Sequence, residues 1–212
     1  MLKKNCFYVI LYAFAASCCI LPVQAAVDSS DQKAALKNLR NSAIPFIENK
    51  GQIKDPGILF YLNGKSGTVL YRDNAEIVYR ARSQNGKTVF TEKFTGIFKP
   101  ALKGGTRTDT NVSYFTGSNK AAWKTGLTTY RDISFQNLYR GISVQFIARG
   151  SSIEDVYSID RPSDTSRIKV KVDGVDRISL DSEGNLVFET SAGRFLKTRP
   201  VAYQQIGAVT KK

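Results

Sequence analysis

Three groups of acids are the first places in this 212-residue chain where side chains could do chemistry. Glu154, Asp155 and Asp160 lie in "SSIEDVYSID" (151–160). Glycoside hydrolysis needs two carboxyls flanking one bond. Neighbours on a strand point to opposite faces, so Glu154 and Asp155 are not expected to share a site. Glu154 and Asp160 share a parity but stand about 20 Å apart along an extended chain. Asp173, Asp176, Asp181 and Glu183, in "KVDGVDRISLDSEGNL" (171–186), suggest calcium. The EF-hand spacing is absent and Arg177 interrupts the acids, so two turns explain them better. Glu48, in "FIENKGQI" (46–53), has no partner carboxylate at a definable distance. Asn49 and Gly51 suit a tight turn there, Asn by local hydrogen bonds and Gly by its freedom at positive φ. The chain contains no histidine, and its three cysteines are Cys6, Cys18 and Cys19. Histidine-based acid–base catalysis, Ser–His–Asp and Cys–His mechanisms and ordinary zinc sites are thereby excluded. No metal, cofactor or catalytic residue is implied.

The remaining chemistry is that of binding. "NKAAWKTGLTTYRDISFQNLYRG" (119–141) holds the single tryptophan, Trp123, with Tyr130, Phe135 and Tyr139. Lys120, Lys124, Arg131 and Arg140 are interleaved. Such a strip stacks on sugars or bases when exposed, and covers a core when it is not. The candidate binding residues are Trp123, Tyr130, Lys120, Lys124 and Arg131. The net charge is +13, and loss of Lys3 and Lys4 with a leader leaves +11. The basic residues are dispersed, with no block of five or six, which favours a solvated surface. A cell-surface glycan or another anionic polymer is the partner this charge admits; no specific nucleic acid is expected.

The chain begins with the basic "MLKK", an uncharged run "NCFYVILYAFAASCCIL" and then "PVQAAV". This is the order of a secretory signal, with a cut after Ala25 leaving Val23 and Ala25 at the small-residue positions. Two alternatives are an uncleaved anchor over Asn5–Val27 and lipidation at Cys18 in "AASC". A membrane is reached only through the leader, if it is retained or lipidated. The expected location is secreted or cell-surface, with the periplasm also open. With all cysteines in the leader, the mature chain has no disulfide framework.

A helical lead-in is expected over residues 26–45, centred on "DSSDQKAALKNLRNS" and ended by Pro45. From Ile58 the period becomes two. Ile77, Tyr79 and Ala81 alternate with Val78, Arg80 and Arg82, and Ile168, Val170 and Val172 alternate with Arg167, Lys169 and Lys171. This is the pattern of half-buried strands. "ILFYL", "TVLYR", "KTVFTEKFTGIF", "VSYFTG", "GISVQFIAR", "GNLVFET" and the strand after Pro200 read likewise. Asn63-Gly64, Asn85-Gly86, Gly104-Gly105, Asp173-Gly174, Glu183-Gly184 and Ala192-Gly193 mark turns, with Asn85-Gly86 the best two-residue hairpin. The expected fold is mainly β: an antiparallel β-sandwich-like or layered arrangement, with a short N-terminal helix after the signal peptide. Residues 46–212 form one β-rich domain, and an apolar strand so near the terminus suggests a copy truncated at its C-terminal end.

"FIENKGQ" (46–52), the stretch 112–146, "RISLDSEGNLVFETSAG" (177–193) and "RPVAYQQI" (199–206) occur in the order found in a known family. The chain resembles the N-terminal domain that precedes SBBP-type β-propeller repeats in large secreted bacterial proteins. The resemblance spans residues 46–206. It implies an extracellular β-rich domain of unassigned activity and supplies no catalytic residues; the propeller itself is missing here. The expected function is a non-enzymatic exported or cell-surface module for attachment or assembly. The alternative is a carbohydrate- or polyanion-binding domain using Trp123 and the nearby basic residues.

Overall fold

The structure, a computed structural model, describes residues 6–13, 44–84, 86–160, 162–206 and 209–211. The helix expected over 26–45 falls almost wholly outside them. The described part is built of strands: β1 (Cys6–Ala13), β2 (Phe46–Glu48), β3 (Ile58–Gly64), β4 (Gly67–Arg72), β5 (Glu76–Ser83), β6 (Gly86–Thr95), β7 (Ala101–Gly104), β8 (Val112–Tyr114), β9 (Lys124–Leu127), β10 (Thr129–Tyr130), β11 (Asp132–Tyr139), β12 (Ile142–Arg149), β13 (Ser152–Asp160), β14 (Lys169–Asp173), β15 (Arg177–Leu180), β16 (Leu186–Thr190), β17 (Gly193–Lys197), β18 (Val201–Ile206) and β19 (Val209–Lys211). They form two antiparallel sheets and a separate β8–β9 hairpin. One sheet runs β10-β2-β3-β4-β5-β6-β14. The other runs β15-β16-β17-β1-β13-β12-β11-β7, with β18 also paired to β1 and β19 beside it.

The period-two reading places the core. Ile77, Tyr79 and Ala81 are buried while Arg80 and Arg82 are exposed. On the facing sheet Val144, Phe146 and Ala148 of β12 and Ile153, Tyr157 and Ile159 of β13 are buried in the same cluster. Aromatic rings join the two sheets: Tyr71 meets Phe146 at 5.0 Å, Phe90 meets Phe195 at 5.0 Å, and Phe94 meets both Phe135 and Tyr157 at 6.4 Å. Each such pair adds about 0.5–1.5 kcal/mol beyond the area it buries. The layered, mainly β expectation therefore holds for the described residues.

Three local readings need correction. Ser83 pairs with Gly86 and Gly64 with Gly67, so the hairpins turn at residues 84–85 and 65–66 rather than at Asn85-Gly86 and Asn63-Gly64. Asn85 itself lies outside the described residues. The glycines that matter begin the return strands: Gly67 and Gly86 have φ of +145° and +142°, and a Cβ on Gly67 would sit 2.0 Å from the Arg80 carbonyl oxygen. Second, β14 is an edge strand paired only with β6, so Val170 is exposed although its alternation reads as buried. Third, the stretch 119–141 is no mere covering connection: it supplies β9, β10 and β11, and Phe135 and Tyr139 lie in the core.

The unforeseen element is β1. It comes from the N-terminal apolar run that reads as a signal segment, and it is paired along all eight positions with β13, from Cys6↔Asp160 to Ala13↔Ile153. Its other edge pairs with Lys197 of β17 and with Val201–Gln204 of β18.

Candidate functional site

The acids of β13 separate as strand parity requires. Glu154 faces away from the core and is held by the Arg149 guanidinium at 2.7 Å. Asp155 points inward and meets charges from two distant strands. Lys197 Nζ of β17 donates to Asp155 Oδ2 at 3.1 Å and to Glu92 Oε2 of β6 at 2.6 Å. Glu92 and Asp155 are both 2% exposed. The Tyr79 hydroxyl donates to Glu92 at 3.4 Å, and Glu92 Oε1 has no partner among the described residues. Burial pushes Asp155 up to about 6, against the pull of Lys197. For Lys197, burial opposes the charge, but Asp155 and then Glu92 outweigh it and raise its pKa. The ammonium thus sits between two buried carboxyl groups, and Asp155 holds its proton more tightly than an exposed carboxyl does.

Glu92 and Lys197 were missed in the sequence, although the signal was present. Phe90, Glu92 and Phe94 share a parity, as do Phe195 and Lys197, so both charges occupy inward positions on strands. The cavity beside them is about 10 Å³, lined by Tyr79, Phe90, Phe188 and Phe195 among others. That space holds about one water molecule. The trio binds the two sheets together; it is not an open cleft.

The other acids serve turns. Asn49 closes the 48–58 loop: its Nδ2 donates to the carbonyls of Ile53 (3.0 Å) and Ile58 (2.8 Å), and its Oδ1 accepts from Gly51 N and Ile53 N, both at 3.1 Å. Gly51 has φ +98°, and Glu48 pairs with Lys50. Asp181 accepts from Glu183 N, Asn185 N and Asn185 Nδ2, each at 2.9 Å. Those bonds, the Asn185 side chain first, hold its carboxyl below the usual range. Among the described residues no three acids are placed to hold a metal ion.

The aromatic-basic strip divides. Trp123 follows a 3₁₀ turn, Lys120–Ala122, capped by the Asn119 side chain. Its Nε1 donates to the Gly117 carbonyl at 3.2 Å. Its ring meets Phe115 edge-on at 5.1 Å, and Lys120 Nζ lies 5.9 Å from the ring centre. Phe115 is 61% exposed, with Tyr114 beside it in sequence also exposed. Lys124 opens β9 opposite Tyr114. Trp123 and Lys124, half-buried, and the exposed Lys120 therefore belong to one tip. Tyr130 does not: it is buried against Phe60 at 5.6 Å, because β10 closes the edge of the first sheet. Arg131 is exposed at the β10–β11 junction, and its backbone N–H donates to Thr106 O at 2.8 Å. The two exposed rings sequence reasoning missed, Tyr114 and Phe115, sit in "VSYFTG", which reads as a strand and so hides that its far end is a loop.

A shallow concavity of about 410 Å³ crosses β11–β13, lined by Ser134, Gln136, Ser143, Gln145 and Ser158. It holds neither a ring nor a charge, the groups that stack on or pair with a polymer, so the tip is the stronger contact surface.

The fold and this surface define an antiparallel, mainly β module with a closed core and an aromatic tip. The chain belongs to the family described as Domain of unknown function (DUF7948), which matches residues 46–212. No curated protein and no solved structure matches it.

Proposed function

We propose that this chain is a non-catalytic exported or cell-surface module for attachment or assembly. The observation that carries the reading is the tip: Trp123 packed on an exposed Phe115 with the Lys120 ammonium beside it. Exposed aromatic rings gathered at one place mark contact surfaces more often than they mark interiors. The likeness of residues 46–206 to the domain that precedes SBBP-type propellers, and the leader-like first 25 residues, support an extracellular setting. The signal-peptide reading also places the module where surface polymers are met.

The second reading, binding of carbohydrate or an anionic polymer, is favoured by the cation beside the indole. A ring with a flanking ammonium offers stacking and charge pairing together. Lys124 and Arg131 add positive charge on exposed or half-buried positions. The test is binding of the exported protein to arrayed neutral and acidic polysaccharides, with and without Trp123→Ala. The second reading expects at least tenfold weaker binding in the variant, and weakening by 0.5 M salt for acidic ligands. Binding that ignores both changes removes the tip from the account. Turnover of a polysaccharide, lost on replacing one acid, overturns the non-catalytic reading.

A further inference from the structure

The seat of β1 gives a second way for this module to make contact. Among the described residues, every sheet hydrogen bond between the β15-β16-β17 meander and the β13-β12-β11-β7 half runs through β1. The strand is eight residues long, "CFYVILYA", without a charge at any position and apolar at both parities. With β1 in place, the strand whose edge it covers is buried from Ile153 to Tyr157 without a break, as a central strand is. β13 holds no proline, lysine or bulge there and pairs with β1 in unbroken register, and its inward charge, Asp155, is taken up by Lys197.

We propose that the groove between β13 and β17–β18 is a strand-acceptor site, filled by the leader in the precursor and, once the leader is cut, by an uncharged apolar strand of another polypeptide running antiparallel to β13. The inference rests on the export reading above, since only cleavage empties the groove. The occupant's chemistry is read from the seat. It must be about eight residues, extended, uncharged and apolar on both faces, and it gains backbone hydrogen bonds on two edges at once. A second copy of this chain offering its own β13 fits poorly. Antiparallel self-pairing would bring Glu154, Asp155 and Asp160 of each copy onto one ladder with no cation on either strand, and like charges opposite each other destabilise. Sliding of β18 into the vacancy is also disfavoured. Lys197 already reaches Asp155 across the β1 position, so a shift of the β17–β18 segment by about 4.8 Å would displace that buried ion pair.

The test uses the exported chain, its N-terminus and oligomeric state established by intact and native mass spectrometry, and hydrogen exchange read over Ser152–Asp160. The probe is a synthetic peptide of residues 6–13 flanked by lysines, with a control peptide carrying Val9→Pro and Leu11→Pro. The expected result is a processed monomer in which the β13 amides not bonded to β12 exchange fast. The probe slows them about tenfold at ten times its dissociation constant, and the proline peptide does not. If the processed chain does not fold alone, refolding that requires the probe and fails with the control supports the same site. A β13 edge protected without peptide overturns the proposal: β18 has closed over it in a monomer, or a second copy has in a dimer. An exposed edge, or an unfolded chain, that ignores the probe overturns it as well. An exported chain that keeps residues 1–25 refutes the cleavage reading instead, and with it any vacancy.

Discussion

Lys197, Glu92 and Asp155 show what one buried cation does for two carboxyls. Replacing Lys197 by Met leaves both acids without a counter-charge, at a cost of about 3–5 kcal/mol, read as a lower urea midpoint at pH 7. The sign of the pH effect follows from Asp155. Its folded pKa, about 6, lies above its unfolded value, so the folded state holds the proton more tightly. That contribution is fully present below pH ~4 and is lost as pH rises through 6, amounting to as much as ~3 kcal/mol. The stability difference between the wild-type chain and Asp155→Asn should therefore change across pH 4–6 and stay flat from 7 to 9; urea melts at each pH check it. Lys197, with its raised pKa, keeps its stabilisation until pH exceeds its ordinary range. These residues were legible only in part. Parity separated Asp155 from Glu154, but three charges from β6, β13 and β17 meet only because sheet order brings distant strands opposite one another. No local spacing encodes that.

Elements position these residues through close backbone approaches. Gly104 ends β7, and a Cβ there would fall 2.4 Å from the Tyr130 ring. That ring is itself wedged against Phe60. Gly104→Ala should cost about 1–3 kcal/mol through overpacking, and should loosen β10 before β12, as hydrogen exchange of the two strands would show. The loop after β2 is a comparable case. Asn49→Ala removes the donors and acceptor that satisfy Gly51, Ile53 and Ile58, with a loss of about 1–3 kcal/mol. "FIENKGQI" was readable as a turn because Asn and Gly have specific backbone uses. The β10–β11 segment was not, because in TTYRDISFQNLY a two-residue strand is followed, after Arg131, by one that opens on a buried Asp132, which accepts from Thr106 N at 3.0 Å and Gln145 Nε2 at 2.7 Å. An acid at a strand start reads as a loop until its partners are known. Tyr130 followed from the same difficulty: aromatic content does not say which way a ring faces.

At the scale of the whole molecule, composition and alternation foretold the layered antiparallel architecture, and the lack of histidine narrowed the chemistry. The place of residues 6–13 in the ladder could not be read, since an apolar run is equally suited to a signal segment and to a central strand. The molecule that results keeps its charged interior closed and places exposed rings on one hairpin. The central claim is that contact resides in that surface and not in the buried acids. It is tested most directly by retention of the labelled protein on the surface of the cells that produce it, comparing Trp123→Ala with Asp155→Asn at equal amounts of folded protein. Retention should fall at least tenfold for Trp123→Ala and stay within twofold of wild type for Asp155→Asn. The reverse order, with the acid needed and the indole dispensable, would contradict the account.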